Sequence, residues 1–202
     1  MRKRKIIKGK IAALTIDKAD TDDWSNTLVS SVQVALDGLV GDKHRTYTRI
    51  TWEGDQDPQG TIRRNERQWS GVSVEELEHI KDNMNLIETL TCADLGTNIC
   101  FEGIPDFSQL PKGTRFIFPS GATLATALYN EPCTGLGEML AKKFTTKSGE
   151  PLTRTSFSVA AIGLRGLVGV VDVAGEINVG DEVLVEIWDE NCQMNKPRVS
   201  PK

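Results

Sequence analysis

The chain has 202 residues, with 24 Lys and Arg against 28 Asp and Glu, a formal net charge of −4. Hydrophobic residues make up 39% and charged residues 26%, which excludes a disordered chain, and the acidic balance argues against a nucleic-acid partner. No apolar run approaches the roughly 18 residues that would cross a bilayer, and the basic start, Met1 to Lys5, lacks the apolar stretch of a secretory signal. The expectation is a soluble, cytoplasmic protein with no membrane partner, one domain over residues 1–202.

In chain order, Arg2-Lys3-Arg4-Lys5 and the proline-containing Lys196 to Lys202 read as flexible ends, leaving tails at 1–7 and 189–202. Between them, Lys8 to Ile16 and Val29 to Leu36 carry strand-like apolar residues. Thr46 to Arg67 is polar and contains Gly54, Pro58 and Gly60, an irregular stretch long enough to be functional or disordered. Ser73-Val74-Glu75-Glu76 is a capping box, with reciprocal bonds expected between Ser73 and Glu76. Val74, Leu77, Ile80 and Met84 follow at helical spacing. A second helix is expected from about Leu136 to Phe144, and a third from about Thr153 to Ile162, stopped by Gly163. Arg115 to Phe118, Ala122 to Tyr129, Leu167 to Val173 and Glu182 to Trp188 complete the strands. Many short strands with Gly, Pro and Asn punctuation and few helices predict a mainly β protein, a barrel or a sandwich.

Four segments bear chemistry. Gly41-Asp42-Lys43-His44 places two donors, Lys43 and His44, after a strand, with Asp42 fixing the turn or orienting the ring; a plain Asp turn ending in a solvated His is the other reading. Arg63, Arg64 and Arg67 bring planar guanidiniums suited to phosphate, or form a solvated loop balanced by Glu53, Asp55, Asp57 and Glu66. Cys133 precedes the expected helix, where free amides favour a thiolate able to bind a soft metal or carry sulfur; a buried, inert thiol is the alternative. Arg165, between Gly163 and Gly166, is the only charge from Arg154 to Asp172 and needs an internal carboxylate or a bound anion. Cys92, Cys100 and Cys192 read as structural thiols, and no CxxC pair occurs. Gly135-Leu136-Gly137 is only half a dinucleotide fingerprint, so no flavin or nicotinamide site is read.

Taken in order, these segments resemble the MOSC domain family, named from the C-terminus of molybdenum-cofactor sulfurases. Gly41-Asp42-Lys43-His44 is similar to its Gly-Asp-x-His, Arg67-Gln68-Trp69-Ser70 to its Arg-Gln-apolar-Ser, Gly96-Thr97-Asn98 to its Gly-x-Asn and Pro132-Cys133 to its Pro-Cys. Gly163 to Gly166 and Gly175 to Asp181 resemble its closing glycine elements. Thr97 departs from the Arg frequent at that position, and the chain ends soon after Trp188, like the small stand-alone bacterial branch.

The resemblance implies a closed or partly open, mostly antiparallel β-barrel with a few short helices. It also implies that the molybdenum cofactor is bound, with Cys133 on the metal and Lys43, His44, Arg67, Asn98 and Arg165 at its pterin phosphate, aided by Arg63 and Arg64. Thr46 to Arg67 would serve as a lid. Catalytic relatives reduce N-hydroxylated compounds, so a separate electron-donor protein is expected. The alternative is a non-redox carrier that holds a persulfide on Cys133 or delivers cofactor to another enzyme.

Overall fold

A computed structural model describes residues 4–17 and 26–188. In chain order the elements are β1 (Arg4–Ile16), β2 (Thr27–Val29), β3 (Ser31–Ala35), β4 (Gly38–Leu39), β5 (Thr48–Ile50), β6 (Ile62–Arg64), β7 (Trp69–Ser73) and α1 (Val74–Asn83). There follow β8 (Ile99–Glu102), β9 (Arg115–Ile117), β10 (Thr123–Tyr129), α2 (Thr134–Lys143), α3 (Ser156–Ala160), β11 (Leu167–Val173), β12 (Gly175–Asn178) and β13 (Glu182–Trp188).

Seven strands close into a barrel in the order β1-β13-β9-β10-β11-β7-β8, and β8 returns to β1. Closure leaves no free edge around the ring. Six of its seams are antiparallel; the seam between β7 and β8 is parallel, as the α1 crossover between them requires. A register shift between Ile11 and Ala13 resets the alternation of β1, so Ile11 and Leu14 both lie in the core. Trp69, Phe101, Phe107 and Phe116 fill the barrel, with Trp69 edge-on to Phe116 at 5.6 Å between ring centroids. A second core lies outside the β7–β8 seam, where Val72 and Cys100 meet Leu77 and Ile80 of α1 and Leu136 and Leu140 of α2.

The mainly β fold and the closed barrel match the sequence expectation; several boundaries do not. The expected N-terminal tail is strand from Arg4 onward, because Arg4 to Ile7 pair with Val185 to Trp188 and Arg4 forms an ion pair with Glu186. Residues 1–3 and 189–202, with Cys192, lie outside the described residues. The single run expected over Val29 to Leu36 divides at Ser30: β2 pairs with β1 beside the barrel ring, while β3 pairs with β12 and β4. Thr46 to Arg67, expected to be irregular, contains the β5–β6 ribbon, with Ile50 opposite Ile62. Gly175 to Asn178, within the last of the glycine elements, is strand β12.

The helices also shift. α2 starts at Thr134 rather than Leu136. α3 ends at Ala160, short of Ile162, because the Tyr129 hydroxyl donates to the Ala161 carbonyl and accepts from Gly163 N, replacing the next helical turn. Gly163 does take the left-handed conformation, φ +74°. Half of the capping box forms: Glu76 N donates to Ser73 Oγ at 3.1 Å. The Glu76 carboxyl instead accepts from Ser108 N at 2.7 Å and Ser108 Oγ at 2.8 Å, since burial among loop peptides offers it stronger donors. Among the described residues no helix is long and apolar enough to cross a membrane.

Candidate functional site

A pocket of about 280 Å³ brings together Lys43, His44, Arg67, Asn98, Cys133 and Arg165, six of the residues singled out in the sequence. They arrive from separate elements. Lys43 and His44 sit in the turn after β4, Arg67 just before β7, Asn98 just before β8, Cys133 at the N-cap of α2 and Arg165 just before β11. Strand ends at one mouth of a barrel are where side chains from distant positions converge.

Asp42 organises one side. Its carboxylate accepts from Asp17 N at 2.9 Å, His44 N at 2.8 Å and Asn98 Nδ2 at 2.7 Å, and faces His44 Nδ1 at 3.0 Å. Burial opposes its ionisation, but the His44 ring and the two backbone amides outweigh burial and hold the Asp42 carboxyl below its usual range. An ionised Asp42 only accepts, so His44 Nδ1 carries the proton and Nε2 is left for other partners. Both sequence readings of Asp42 hold: it fixes the turn and orients His44. Lys43 Nζ pairs with Asp17 at 2.5 Å.

Asn98 is fully engaged by the protein. Its Oδ1 accepts from Ser70 N and Ser70 Oγ at 3.0 and 2.9 Å, and its Nδ2 donates to Asp42 and to the Thr15 carbonyl. It therefore brackets the pocket by tying β7 to the Asp42 turn.

Arg165 defines the opposite side. It is 7% exposed, and its NH1 and NH2 donate to Thr97 Oγ1 at 2.9 Å and to the Leu95 carbonyl at 2.8 Å. Among the described residues it has no ion pair. Burial, and then repulsion by Arg67, lower its pKa to about 10. Thr97, where the family often has Arg, thus serves as an acceptor for Arg165. Arg67 NH2 donates to Asn130 Oδ1 at 2.9 Å, and burial followed by repulsion from Arg49 lowers its pKa as well. The Cys133 sulfur lies within electrostatic range of both guanidiniums. Cys133 is exposed, whereas Cys92 and Cys100 are buried in the second core.

Arg63 and Arg64 do not join the pocket, although the sequence placed them with Arg67. Arg63 pairs with Asp57 and Glu66, and Arg64 with Glu66, so local carboxylates absorb their charge on the ribbon. The sequence reading missed Asp17, Ser70 and Asn130, which line the pocket as partners of Lys43, Asn98 and Arg67. Asn130 directly follows β10, where an Asn reads only as turn punctuation. Among the described residues no group of three or more His, Cys, Asp or Glu could hold a metal ion.

Comparison with known proteins places this geometry. The chain is 32% identical over 184 residues to a Bacillus subtilis protein described as "Putative metal-sulfur cluster biosynthesis proteins YuaD", covering 90% of this chain and 93% of that one. A crystal structure of YuaD from Bacillus subtilis superposes with a TM-score of 0.83 at 31% identity, over 94% of this chain and all of that one. YiiM from Geobacillus stearothermophilus shares the fold at 14% identity, with a TM-score of 0.56 over 88% of this chain and 74% of its own. The family model described as the MOSC domain matches residues 57–184. With the barrel, the pocket and these matches together, the chain belongs to the MOSC domain family.

Proposed function

We propose that the pocket binds an anionic, metal-bearing cofactor of the molybdopterin type and that the protein reduces N-hydroxylated compounds. The observation that carries this reading is Arg165: a buried guanidinium with only neutral partners among the described residues, lining a pocket that also presents one exposed thiol. Such a charge calls for an anion. A metal at Cys133 would have to bring most of its ligands with it, since the described residues offer no further cluster of ligand side chains. An organic cofactor carrying both a phosphate and a metal satisfies both conditions.

When bound, such a cofactor supplies two-electron chemistry at molybdenum. This chain's residues do the rest. Arg165 and Arg67 hold the phosphate, Cys133 presents its sulfur to the metal, and Asn98 acts through Asp42 by keeping the carboxylate against His44. His44, with Nδ1 fixed by Asp42, exchanges protons through Nε2. Reduction of an N–OH group to N–H consumes two electrons and two protons and releases water, the electrons coming from a separate donor protein.

A second reading is favoured by the exposure of Cys133 and by the name carried by the Bacillus subtilis relative: a carrier that holds sulfur as a Cys133 persulfide. Purification from a molybdate-fed host competent in cofactor synthesis separates the two. Molybdenum near one atom per chain, with a pterin released on denaturation, supports the first reading. Metal-free protein with a sulfane sulfur on Cys133 by mass spectrometry overturns it in favour of the second.

A further inference from the structure

Among the described residues Arg165 has no acidic partner, and part of what holds its segment in place lies behind the pocket. Gly166 N donates to Ser108 Oγ at 2.7 Å, and Ser108 Oγ and N donate in turn to the two carboxyl oxygens of Glu76. The Gly166 carbonyl accepts from Asn130 N at 3.0 Å, and Asn130 Oδ1 is the acceptor for Arg67. One peptide segment thus connects Glu76 and Ser108 to both guanidiniums. Gly166 has little freedom to drift: its φ is +94°, and a Cβ there would collide with the Gly71 carbonyl.

We propose that Glu76 and Ser108 are positioning residues of the anion site, fixing the Gly163–Gly166 turn from behind and thereby aiming Arg165 and Arg67. The inference rests on the reading of the pocket as an anion site.

The hydroxyl of Ser108 has one hydrogen and two lone pairs. One lone pair takes the Gly166 amide and the hydrogen goes to Glu76, so an ionised Glu76 makes a charge-assisted bond that also fixes the hydroxyl rotor. A protonated Glu76 would instead offer a hydrogen of its own, and the Ser108 hydroxyl would lose its acceptor. Burial, against which the Ser108 donors act, pushes the Glu76 carboxyl up to about 7, so both forms occur near neutral pH. Glu76 lines a second cavity of about 260 Å³, and the titratable groups sharing it are Glu75 and His79 on α1 and Asp106 on the facing turn. Leu164, the neighbour of Arg165, forms part of the same wall.

The test uses the full chain and sulfate, which stays a dianion across the neutral range. Sulfate affinity is measured by calorimetry for the wild type, Ser108→Ala, Ser108→Thr, Glu76→Gln and Arg165→Met, and the Gly166 amide resonance is followed against pH. Ser108→Ala should weaken sulfate binding about tenfold with an unchanged circular dichroism spectrum, and Ser108→Thr should restore it. The Gly166 resonance should titrate near pH 7 in the wild type and not in Glu76→Gln. Wild-type affinity in Ser108→Ala, or the same Gly166 titration in Glu76→Gln, overturns the inference. If Ser108→Ala does not fold, the Gly166 comparison decides alone. Arg165→Met separates the two layers of argument. If it binds sulfate like the wild type, the anion-site reading itself falls; if it loses sulfate while Ser108→Ala keeps it, only the positioning role falls.

Discussion

The two sides of the pocket treat their cations differently. Lys43 and His44 each face a carboxylate, Asp17 and Asp42, while Arg67 and Arg165 meet only an amide oxygen, a hydroxyl and a peptide carbonyl. The first side is electrostatically complete and is built to hold a shape. The second carries buried charge that meets no carboxylate among the described residues. A sequence that sends Lys43, His44, Arg67 and Arg165 to one pocket looks uniformly basic. Among the described residues the structure gives carboxylates to Lys43 and His44 and neutral acceptors to Arg67 and Arg165, and apart from Asp42 beside His44 these partners are distant in the chain.

Breaking the complete side should have the largest effect on stability. Asp42→Ala removes the acceptor of two backbone amides, the His44 ring and the Asn98 amide, leaving buried donors unpaired. The expected loss is about 3–5 kcal/mol in denaturant unfolding; a loss below about 1 kcal/mol would mean that the Asp42 network does not brace the turn. The pH dependence has a definite sign. Because the folded Asp42 carboxyl lies below its usual value of 3.8, its contribution is present above that pH and is lost as pH falls through the lower folded value. Asp42→Asn should remove that part of the acid limb.

Behind the open side, Glu76 has the opposite sign. Its folded value near 7 exceeds the usual 4.5, so its stabilisation is full below about pH 4.5 and is lost as pH rises through 7. From pH 4.5 to above 7, Glu76→Gln should gain about 3 kcal/mol relative to the wild type, measured as the difference between two urea midpoint series. Parallel series would show that the carboxyl is not shifted. For the open side itself, Arg165→Met replaces an unneutralised buried charge by an apolar chain of similar reach. In anion-free buffer, stability should rise by about 1 kcal/mol, and the melting-temperature gain expected of the wild type in sulfate should be absent. A loss of several kcal/mol would mean that Arg165 is a structural residue with no need of a ligand.

The parts of this contrast legible in the sequence were those governed by local chemistry. An Asp turn ending in His44, a Cys ahead of a helix, and an Arg between two glycines are short-range patterns, and each reached the pocket. What decides their roles is long-range. Asn98 meets Asp42 across 56 positions and Ser70 across 28, and no spacing rule links such residues before the barrel closes. The ribbon β5–β6 escaped notice because its paired Ile50 and Ile62 are 67% and 72% exposed, so no buried face imposes an alternation on the surrounding polar residues. Arg63 and Arg64 follow the alternative reading, a loop balanced by its own acids. Their chemistry suits phosphate, but Asp57 and Glu66 are near enough in sequence to claim it first.

Cys133 belongs to neither side, and its substitution should have the smallest effect on stability. It is exposed at the N-cap of α2, and its side chain makes no capping bond, so Cys133→Ser takes no capping hydrogen bond from the helix. Serine is itself a preferred N-cap residue, and the melting temperature should hold or rise slightly, within about 0.5 kcal/mol. Function should respond in full, because a serine hydroxyl stays protonated near neutral pH and is a hard, poor donor to a soft metal. Reduction of N-hydroxylated substrate, or persulfide loading under the carrier reading, should therefore vanish from a protein of unchanged stability. Cys92→Ser and Cys100→Ser place a hydroxyl in the second core and should cost about 1–3 kcal/mol each while keeping activity in the folded fraction. Activity and melting temperature measured together on the three variants distinguish the roles. An active Cys133→Ser protein would leave the open side as an anion site with no sulfur chemistry attached.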